Sequence, residues 1–258
     1  MNRTGLYITL GIAAVVGLVF GLWPELDLKL AGLFYEPPPR GFWRSYDPVY
    51  LRLRDASTWI IALVAIPAFA ALAIKLVQPR RPLPIPGRAM LLMMITLALG
   101  PGVIANLILK EHWHRPRPID VAEFGGSEHF RAWWDPRGRC HRNCSFISGE
   151  GATAFWTIAP AALTPPAIRP VAYVAALAFG AATSGLRMAF GGHFFTDVAG
   201  AGLVTFLVIW LLHGYIYRWP KTRLSDARID AALTRLAWPG YRLTRKWFGR
   251  DVGPAPSP

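Results

Sequence analysis

The sequence predicts an all-α, polytopic membrane bundle of six transmembrane helices, with a surface amphipathic helix after the first of them. Of its 258 residues, 53% are hydrophobic and 17% are charged, which excludes a disordered chain and a coiled coil. Long segments carry no charge, so the 28 Lys and Arg residues must be concentrated in short connections. The 11 Trp and 8 Tyr residues fit the same class, because amphipathic rings favour the headgroup level of a bilayer.

Six apolar segments have about the length that crosses the hydrocarbon core, roughly 20 residues for a helix. They cover residues 6–23, 58–77, 89–109, 151–164, 171–190 and 198–217. We expect helices because a spanning segment must satisfy its own backbone hydrogen bonds. The fourth segment is short and rich in Ala, Gly and Thr, so its assignment depends on its neighbours. No small-residue cleavage site follows the first segment, which we interpret as an uncleaved anchor.

The basic residues predict how the spans are oriented. Arg80, Arg81 and Arg88 lie in a connection without acids, and the tail at 218–258 is also basic, so both are expected in the cytoplasm. With six spans, both termini are then cytoplasmic. Residues 1–217 form the predicted transmembrane domain, and the loops at 110–150 and 187–197 are expected on the outer side of the membrane.

Two segments outside the spans have helical periodicity. In the first, apolar residues share a face opposite Glu25, Asp27 and Lys29, which predicts a helix lying flat on the outer surface. Those apolar residues are Leu26, Leu30, Leu33 and Phe34. In the tail, apolar residues at 229, 233 and 236 alternate with Arg, a pattern suited either to anionic lipid or to a solvated helix. The Pro-rich end at 253–258 is predicted to be disordered.

Three groups of polar residues interrupt the apolar pattern on the predicted outer side of the membrane. Lys110, Arg117 and Arg187 supply positive charge, and guanidinium groups bind phosphate oxygens in pairs. Ser148 and Gly149 begin a helix, where free N–H groups favour an anion. Together they predict a phosphate-binding site.

A histidine and an aspartate complete this set. His193 and Asp197 are four residues apart at a helix start, so the carboxylate is expected to accept from one ring nitrogen. The other nitrogen then serves as nucleophile or base. Covalent catalysis by His divides ester hydrolysis into phosphoryl transfer to the ring and attack by water. This chemistry requires no metal or other cofactor.

The pattern resembles the membrane-bound type 2 phosphatidic acid phosphatase family, whose motifs are K-x6-R-P, P-S-G-H and S-R-x5-H-x3-D. The first motif is complete at Lys110, Arg117 and Pro118, and the third matches at Arg187, His193 and Asp197. The resemblance covers roughly residues 90–210. It implies that His193 is the nucleophile and Asp197 its orienting partner. It also implies that phosphate is bound by Lys110, Arg117, Ser148, Gly149 and Arg187.

The second motif departs from the family, because Glu150 stands where the family has the His that protonates the leaving group. A carboxylic acid does the same if its pKa is raised, so Glu150 is the candidate acid. In a second interpretation Glu150 orients Arg115 or Arg117, and one of three other histidines donates the proton. Those histidines are His112, His114 and His141. In a third interpretation the site is inactive, which would favour a lipid-binding or transport protein.

The resemblance implies a membrane lipid phosphate as substrate and no nucleic acid, and it leaves the oligomeric state open. Basic and aromatic residues in the loop at 110–150 suit a large polyanionic saccharide headgroup, and the Ser-Gly-Glu-Gly variant resembles the lipid A phosphatases. The resemblance favours the 4′-phosphate over the 1-phosphate. It also implies a bacterial inner membrane, with the loops at 110–150 and 187–197 facing the periplasm. Phosphatidylglycerophosphate and undecaprenyl diphosphate phosphatases are the alternatives. The candidate headgroup residues are Arg115, Arg131, Arg137, Arg139, Arg142, Trp133 and Trp134.

Cys140 and Cys144 are the two cysteines of the chain. Both lie in the loop that is predicted to face an oxidising compartment, where a disulfide would close a small ring. Their spacing relative to His129 and His141 matches no structural zinc site. We therefore expect a disulfide rather than a metal site.

Overall fold

The computed structural model describes residues 1–219, 224–247 and 253, and all regular structure within them is helical. The nine helices, in chain order, are α1 (Arg3–Leu22), α2 (Glu25–Gly32), α3 (Pro48–Val77), α4 (Gly87–His112), α5 (Gly149–Phe155), α6 (Ile158–Ala162), α7 (Arg169–Ala189), α8 (Phe195–Arg218) and α9 (Asp226–Trp247). Short 3-10 turns cover Trp43–Ser45, Pro118–Asp120 and Ala122–Phe124. The predicted all-α membrane bundle is confirmed.

The predicted count of six spans is not confirmed. In the described part of the chain, five helices are long and apolar enough to cross a membrane: α1, α3, α4, α7 and α8. The fourth predicted span is divided into α5 and α6, which are only 7 and 5 residues long. Pro160 has no N–H to donate to the carbonyl of Trp156, so the helix is interrupted there. Both short helices pack against α7.

Helix α3 begins well before the segment predicted at residues 58–77. Asp47 accepts hydrogen bonds from the N–H groups of Val49 and Tyr50, at 2.8 and 3.3 Å, and Pro48 occupies the first turn. A capping Asp followed by Pro is a strong helix start. The first turns of α3 therefore place Arg54 beside the loops that hold the sequence motifs.

One aromatic ring sets the spacing of the central helices. A Cβ added at Gly180 of α7 would lie 2.3 Å from Cδ1 of Phe155, and one added at Gly202 of α8 would lie 3.1 Å from its Cε2. The ring of Phe155 therefore lies between the two helices at close contact. The neighbouring Trp156 is buried and donates Nε1 to the carbonyl of Met93 at 3.0 Å, which ties this segment to α4.

Helix α2 lies on the surface as predicted, but the face that it buries is not the predicted one. Asp27, assigned to its polar face, is 1% exposed, whereas Leu33, assigned to the apolar face, is 74% exposed. The reason is electrostatic, because Asp27 pairs with a buried guanidinium in the loop after α4. The pattern of apolar residues alone did not indicate this partner.

Helix α9 of the predicted basic tail packs against α3 and α4. Lys75 is buried and donates to Asp230 of α9 at 2.8 Å, and Arg88 pairs with Asp226 at 3.2 Å. Ile229 is buried in the main apolar cluster. Of the segment predicted to be disordered, 253–258, all but Gly253 lies outside the described residues.

Candidate active site

The three sequence motifs meet at one end of the bundle. Arg187 lies in the last turn of α7, Asp197 lies in the first turn of α8, and the buried His193 lies between them. The second motif contacts the third through its backbone, since the N–H of Ser148 donates to the carbonyl of Asp197 at 3.2 Å. The charges of Arg187, Arg117 and Lys110 all act on the His193 ring. The structure therefore brings together the residues that the sequence placed in separate motifs.

The partner of His193 differs from the expected one. Its Nδ1 donates to the carbonyl of Ser145 at 2.7 Å and lies 3.9 Å from Oδ2 of Asp197, beyond hydrogen-bond distance. The predicted direct bond to Asp197 is therefore not formed. Asp197 instead accepts from the hydroxyl of Ser145 and from the N–H of Phe194. Asp197 is thus connected to the ring through Ser145.

The surroundings of His193 keep its ring neutral. Burial lowers the pKa of His193 well below its usual value, and the positive charges of Arg187, Arg117 and Lys110 lower it further. With Nδ1 donating to a carbonyl, Nε2 carries the lone pair. A neutral imidazole with a free Nε2 is the form that attacks an electrophile.

Arg187 presents an unused donor in this site. The residue is 8% exposed, and its buried Nε has no hydrogen-bond partner among the described residues. Oε2 of Glu150 is the nearest carboxylate oxygen, at 3.6 Å. Gly192 provides room for the guanidinium, since a Cβ there would lie 2.8 Å from its Nη2. A buried N–H without a partner is rare and costly, so an anion that accepts from it would be stabilised.

Glu150 is held by an arginine that the sequence analysis did not assign to the site. Arg54 of α3 donates Nε to Oε2 at 3.0 Å and Nη2 to Oε1 at 2.7 Å, a bidentate pair. Together with Arg187, this pair favours the ionised carboxylate. Neither Arg115 nor Arg117, the partners named in the second interpretation, contacts it through a hydrogen bond or ion pair.

A small disulfide ring supports Arg117. Cys140 and Cys144 are bonded, with their Cα atoms 5.7 Å apart. The N–H of Cys144 donates to the carbonyl of Lys110 at 3.1 Å, which fixes the ring to the first motif. Within the ring, the carbonyl of Asn143 accepts from Nε and Nη2 of Arg117, at 3.1 and 2.8 Å. One edge of the guanidinium is thus fixed, and the other is left for a ligand.

Ser148 and Gly149 form the start of α5. The hydroxyl of Ser148 accepts from the N–H of Gly151 at 3.1 Å, which leaves its own hydrogen free to donate. A Cβ at Gly149 would lie 2.3 Å from Oδ1 of Asn106, so a larger residue there would displace the Asn106 side chain of α4. The second motif is therefore packed directly against the helix that carries Lys110 near its end.

Arg115 does not belong to the headgroup set in which it was placed. It is fully buried and pairs with Asp27 and Asp197, so it has no surface with which to contact a saccharide. Arg115 is buried because it pairs with two buried carboxylates, one of which belongs to the third motif.

The remaining headgroup residues lie on the outer loop. Arg131 and Arg137 both pair with Asp135, at 3.3 and 2.8 Å. Trp133 packs against α1, where a Cβ added at Gly17 would lie 3.6 Å from Cζ2 of the Trp133 ring. Trp134 is 50% exposed. Arg139 and Arg142 are exposed.

Sequence reasoning missed Asp27, Arg54 and Ser145. The Asp47–Pro48 start signal could have extended α3 to include Arg54. Asp27 and Ser145 carry no local signal, because their roles depend on contacts with residues far along the chain. Among the described residues, no group of three His, Cys, Asp or Glu side chains is arranged to hold a metal ion.

A helical membrane bundle with a buried histidine beside three cationic side chains defines a membrane-embedded phosphatase. The sequence profile of the PAP2 superfamily matches residues 88–221, about half of the chain, and the chain belongs to that superfamily. It is therefore a phosphoric monoester hydrolase. No solved structure matched the chain.

Three curated relatives share one name, lipid A 4′-phosphatase. The relative from Francisella tularensis subsp. novicida is 29% identical over 223 residues, which cover 84% of this chain and 98% of the relative. The relative from Rhizobium leguminosarum is 40% identical over 114 residues, 44% of this chain and 48% of the relative. The one from Rhizobium etli is 39% identical over 113 residues, 44% of each chain.

Proposed function

We propose that this protein removes the 4′-phosphate of lipid A through a phosphohistidine formed on His193. The observation that carries the proposal is the buried Nε of Arg187, which makes no hydrogen bond, has Glu150 at 3.6 Å as its ion-pair partner, and lies in the same site as a neutral histidine. An anion with several oxygens satisfies this donor. A phosphate ester offers both those oxygens and an electrophilic phosphorus.

The chemistry follows in two steps. Nε2 of His193 attacks phosphorus, the bond from phosphorus to the sugar oxygen breaks, and that oxygen takes up a proton from solvent water. A second water then attacks the phosphohistidine, the nitrogen–phosphorus bond breaks, the attacking water loses a proton to solvent, and phosphate is released. Lys110, Arg117 and Arg187 stabilise the charge on the equatorial oxygens, and the Ser148 hydroxyl adds a donor. Asp197 holds the ring through Ser145.

The choice of lipid A rests on the relatives and on the outer loop. The Francisella relative is matched over 98% of its length and 84% of this chain, so the similarity extends well beyond the motifs. The exposed Arg139 and Arg142 and the half-exposed Trp134 lie in the loop beside the first motif, where they would contact a phosphorylated saccharide. The fatty acyl chains of such a substrate would remain in the bilayer.

The distribution of charge supports an orientation in a bacterial inner membrane. Arg80, Arg81 and Arg88 follow α3 at the end of the bundle remote from His193, and α9 packs at that same end. Positive residues favour the cytoplasmic side. The termini would therefore face the cytoplasm and His193 the periplasm, with residues 1–217 as the phosphatase domain.

The proposal is tested by phosphate release from detergent-purified protein in excess chelator. Lipid A labelled at the 4′-phosphate, lipid A labelled at the 1-phosphate, phosphatidylglycerophosphate and undecaprenyl diphosphate are offered separately. We expect release from the 4′-labelled lipid A, with the other three slower by about tenfold or more, since each lost charged contact contributes roughly 1.5–3 kcal/mol. Faster release from another lipid would replace lipid A as the substrate, and no release from any would refute the phosphatase.

Glu150 has a different role in this proposal from the general acid expected from the motif. Its bidentate pair with Arg54 keeps it ionised, and an ionised carboxylate has no proton to give. We infer that Glu150 orients Arg54 and Arg187 toward the phosphate. Arg54 is then a further cationic residue at the edge of the site.

Glu150→Gln separates the two roles when a nitrophenyl phosphate, whose leaving group departs unprotonated, is compared with an alkyl phosphate. An orienting residue lowers kcat/KM for both substrates by a similar factor, about 10- to 100-fold. A loss confined to the alkyl phosphate would make Glu150 the acid after all. Glu123→Gln, which removes an exposed carboxylate from the outer loop, serves as the matched control.

A further inference from the structure

Three charged side chains are buried together beneath the candidate active site. Arg115 and Asp197 are fully buried, and Asp27 of α2 is 1% exposed. Nη2 of Arg115 donates to Oδ2 of Asp27 at 2.8 Å, and its Nη1 donates to Oδ1 of Asp197. One guanidinium is therefore shared between two carboxylates. A buried cluster of this kind is stable only when its remaining donors and acceptors are also satisfied.

The remaining contacts are satisfied within the protein. Oδ1 of Asp27 accepts from the N–H of Thr196 at 3.1 Å, and its Oδ2 accepts from the Thr196 hydroxyl. Nε of Arg115 donates to the carbonyl of Arg131 at 2.9 Å. These hydrogen bonds use both oxygens of Asp27 and the Nε of Arg115, which does not pair within the cluster. The charged side chains are therefore held in place by contacts with neighbouring residues of the protein.

This cluster is connected to the nucleophile by hydrogen bonds. Oδ2 of Asp197 accepts from the hydroxyl of Ser145, and the carbonyl of Ser145 accepts from Nδ1 of His193 at 2.7 Å. Because Asp197 does not touch the ring, the orientation of the ring depends on where Ser145 is held. The position of Ser145 in turn depends on whether an oxygen of Asp197 can accept the hydrogen bond from the Ser145 hydroxyl.

We propose that Asp27 is a positioning residue for His193, acting through Arg115, Asp197 and Ser145. Asp27 engages Nη2 of Arg115, so that only Nη1 is directed at Asp197. Without Asp27, both terminal nitrogens of Arg115 can pair with both oxygens of Asp197, as the planar fork of a guanidinium favours. Ser145 then loses its hydrogen bond to Asp197 and retains only the weaker one to the carbonyl of Gly192, at 3.4 Å. The inference rests on the proposed function, in which His193 is the nucleophile.

The test measures the state of the ring directly as well as turnover. The protein is produced with histidine labelled by ¹⁵N in the ring, and the signal that is absent in His193→Gln identifies His193. In the unchanged protein we expect a single tautomer with its proton on Nδ1. In Asp27→Asn we expect a mixture of tautomers, with kcat about 10- to 100-fold lower and KM within about threefold. Glu25→Gln, which removes an exposed carboxylate from the same helix, should change neither.

Each outcome decides the inference. An unchanged ring signal in Asp27→Asn, or the same change in Glu25→Gln, overturns it. If Asp27→Asn does not fold, the inference is tested with Thr196→Val, because this change removes one hydroxyl from the cluster without removing a charge. We expect Thr196→Val to shift the His193 ring signal in the same direction. An unchanged ring signal in Thr196→Val would contradict the inference. A ring signal that depends on Asp27 in a protein that releases no phosphate would refute the proposed function and leave this inference standing.

Discussion

His193→Gln is expected to lower phosphate release by about 10⁴-fold or more, since removal of a covalent nucleophile has an effect of this order or larger. Glutamine has a similar polarity but cannot form the phosphohistidine, so the loss should appear in kcat. The measurement is release of labelled phosphate from the lipid, together with acid-labile label retained on the protein. The unchanged enzyme should retain such label after rapid quenching, and the variant should retain none.

The control for this variant is His213→Gln. His213 is also a largely buried histidine, but it lies at the opposite end of α8 from the candidate site. It should keep both turnover and the acid-labile label. Turnover by His193→Gln within tenfold of the unchanged enzyme would remove His193 from the role of nucleophile.

Arg187→Gln should produce the second large effect, a loss of about 10²- to 10³-fold in kcat, the range seen when one donor to a transition-state oxyanion is removed. The buried Nε of Arg187 makes an ion pair with Glu150 at 3.6 Å but no hydrogen bond, so a substrate oxygen would supply the hydrogen bond that this donor lacks. The variant should still fold, because Glu150 keeps its bidentate pair with Arg54. Steady-state kinetics with the lipid substrate provides the measurement.

Two further variants define the role of the guanidinium. Arg187→Lys retains the charge without the planar fork and should fall between Arg187→Gln and the unchanged enzyme. Arg169→Gln removes a guanidinium from the first turn of the same helix, far from the site, and should leave kcat unchanged. Equal activity of Arg187→Lys and the unchanged enzyme would show that charge alone is required.

The parts of this fold that the sequence predicted are those encoded locally. An apolar run of about 20 residues has few alternatives to a membrane helix, so five of the six predicted segments correspond to long helices. The sixth, at 151–164, contains Pro160 and is short. Whether such a segment forms one helix or two depends on what packs around Trp156 and Phe155, which the sequence does not specify.

The sequence predicted the part of the site in which the spacing of residues along the chain determines which side chains come together. Arg187 and Asp197 flank His193 across one turn between two helices, and their convergence follows from the motif. The partner of Glu150 did not follow, because Arg54 lies 96 positions earlier in the chain. The role of Asp27 was hidden for the same reason. A polar residue on an amphipathic segment is usually solvated, and only a tertiary contact reveals that this one is buried.

The ring of Phe155 has a bearing on how such an enzyme changes over evolutionary time. It separates α7 from α8, and those helices carry Arg187 and Asp197, although Phe155 itself is five positions beyond Glu150 along the chain. Natural variation in the size of this one side chain would move two motif residues relative to each other while leaving every motif letter intact. Closely related phosphatases with identical motifs can therefore differ in turnover for a reason that inspection of the motifs does not reveal.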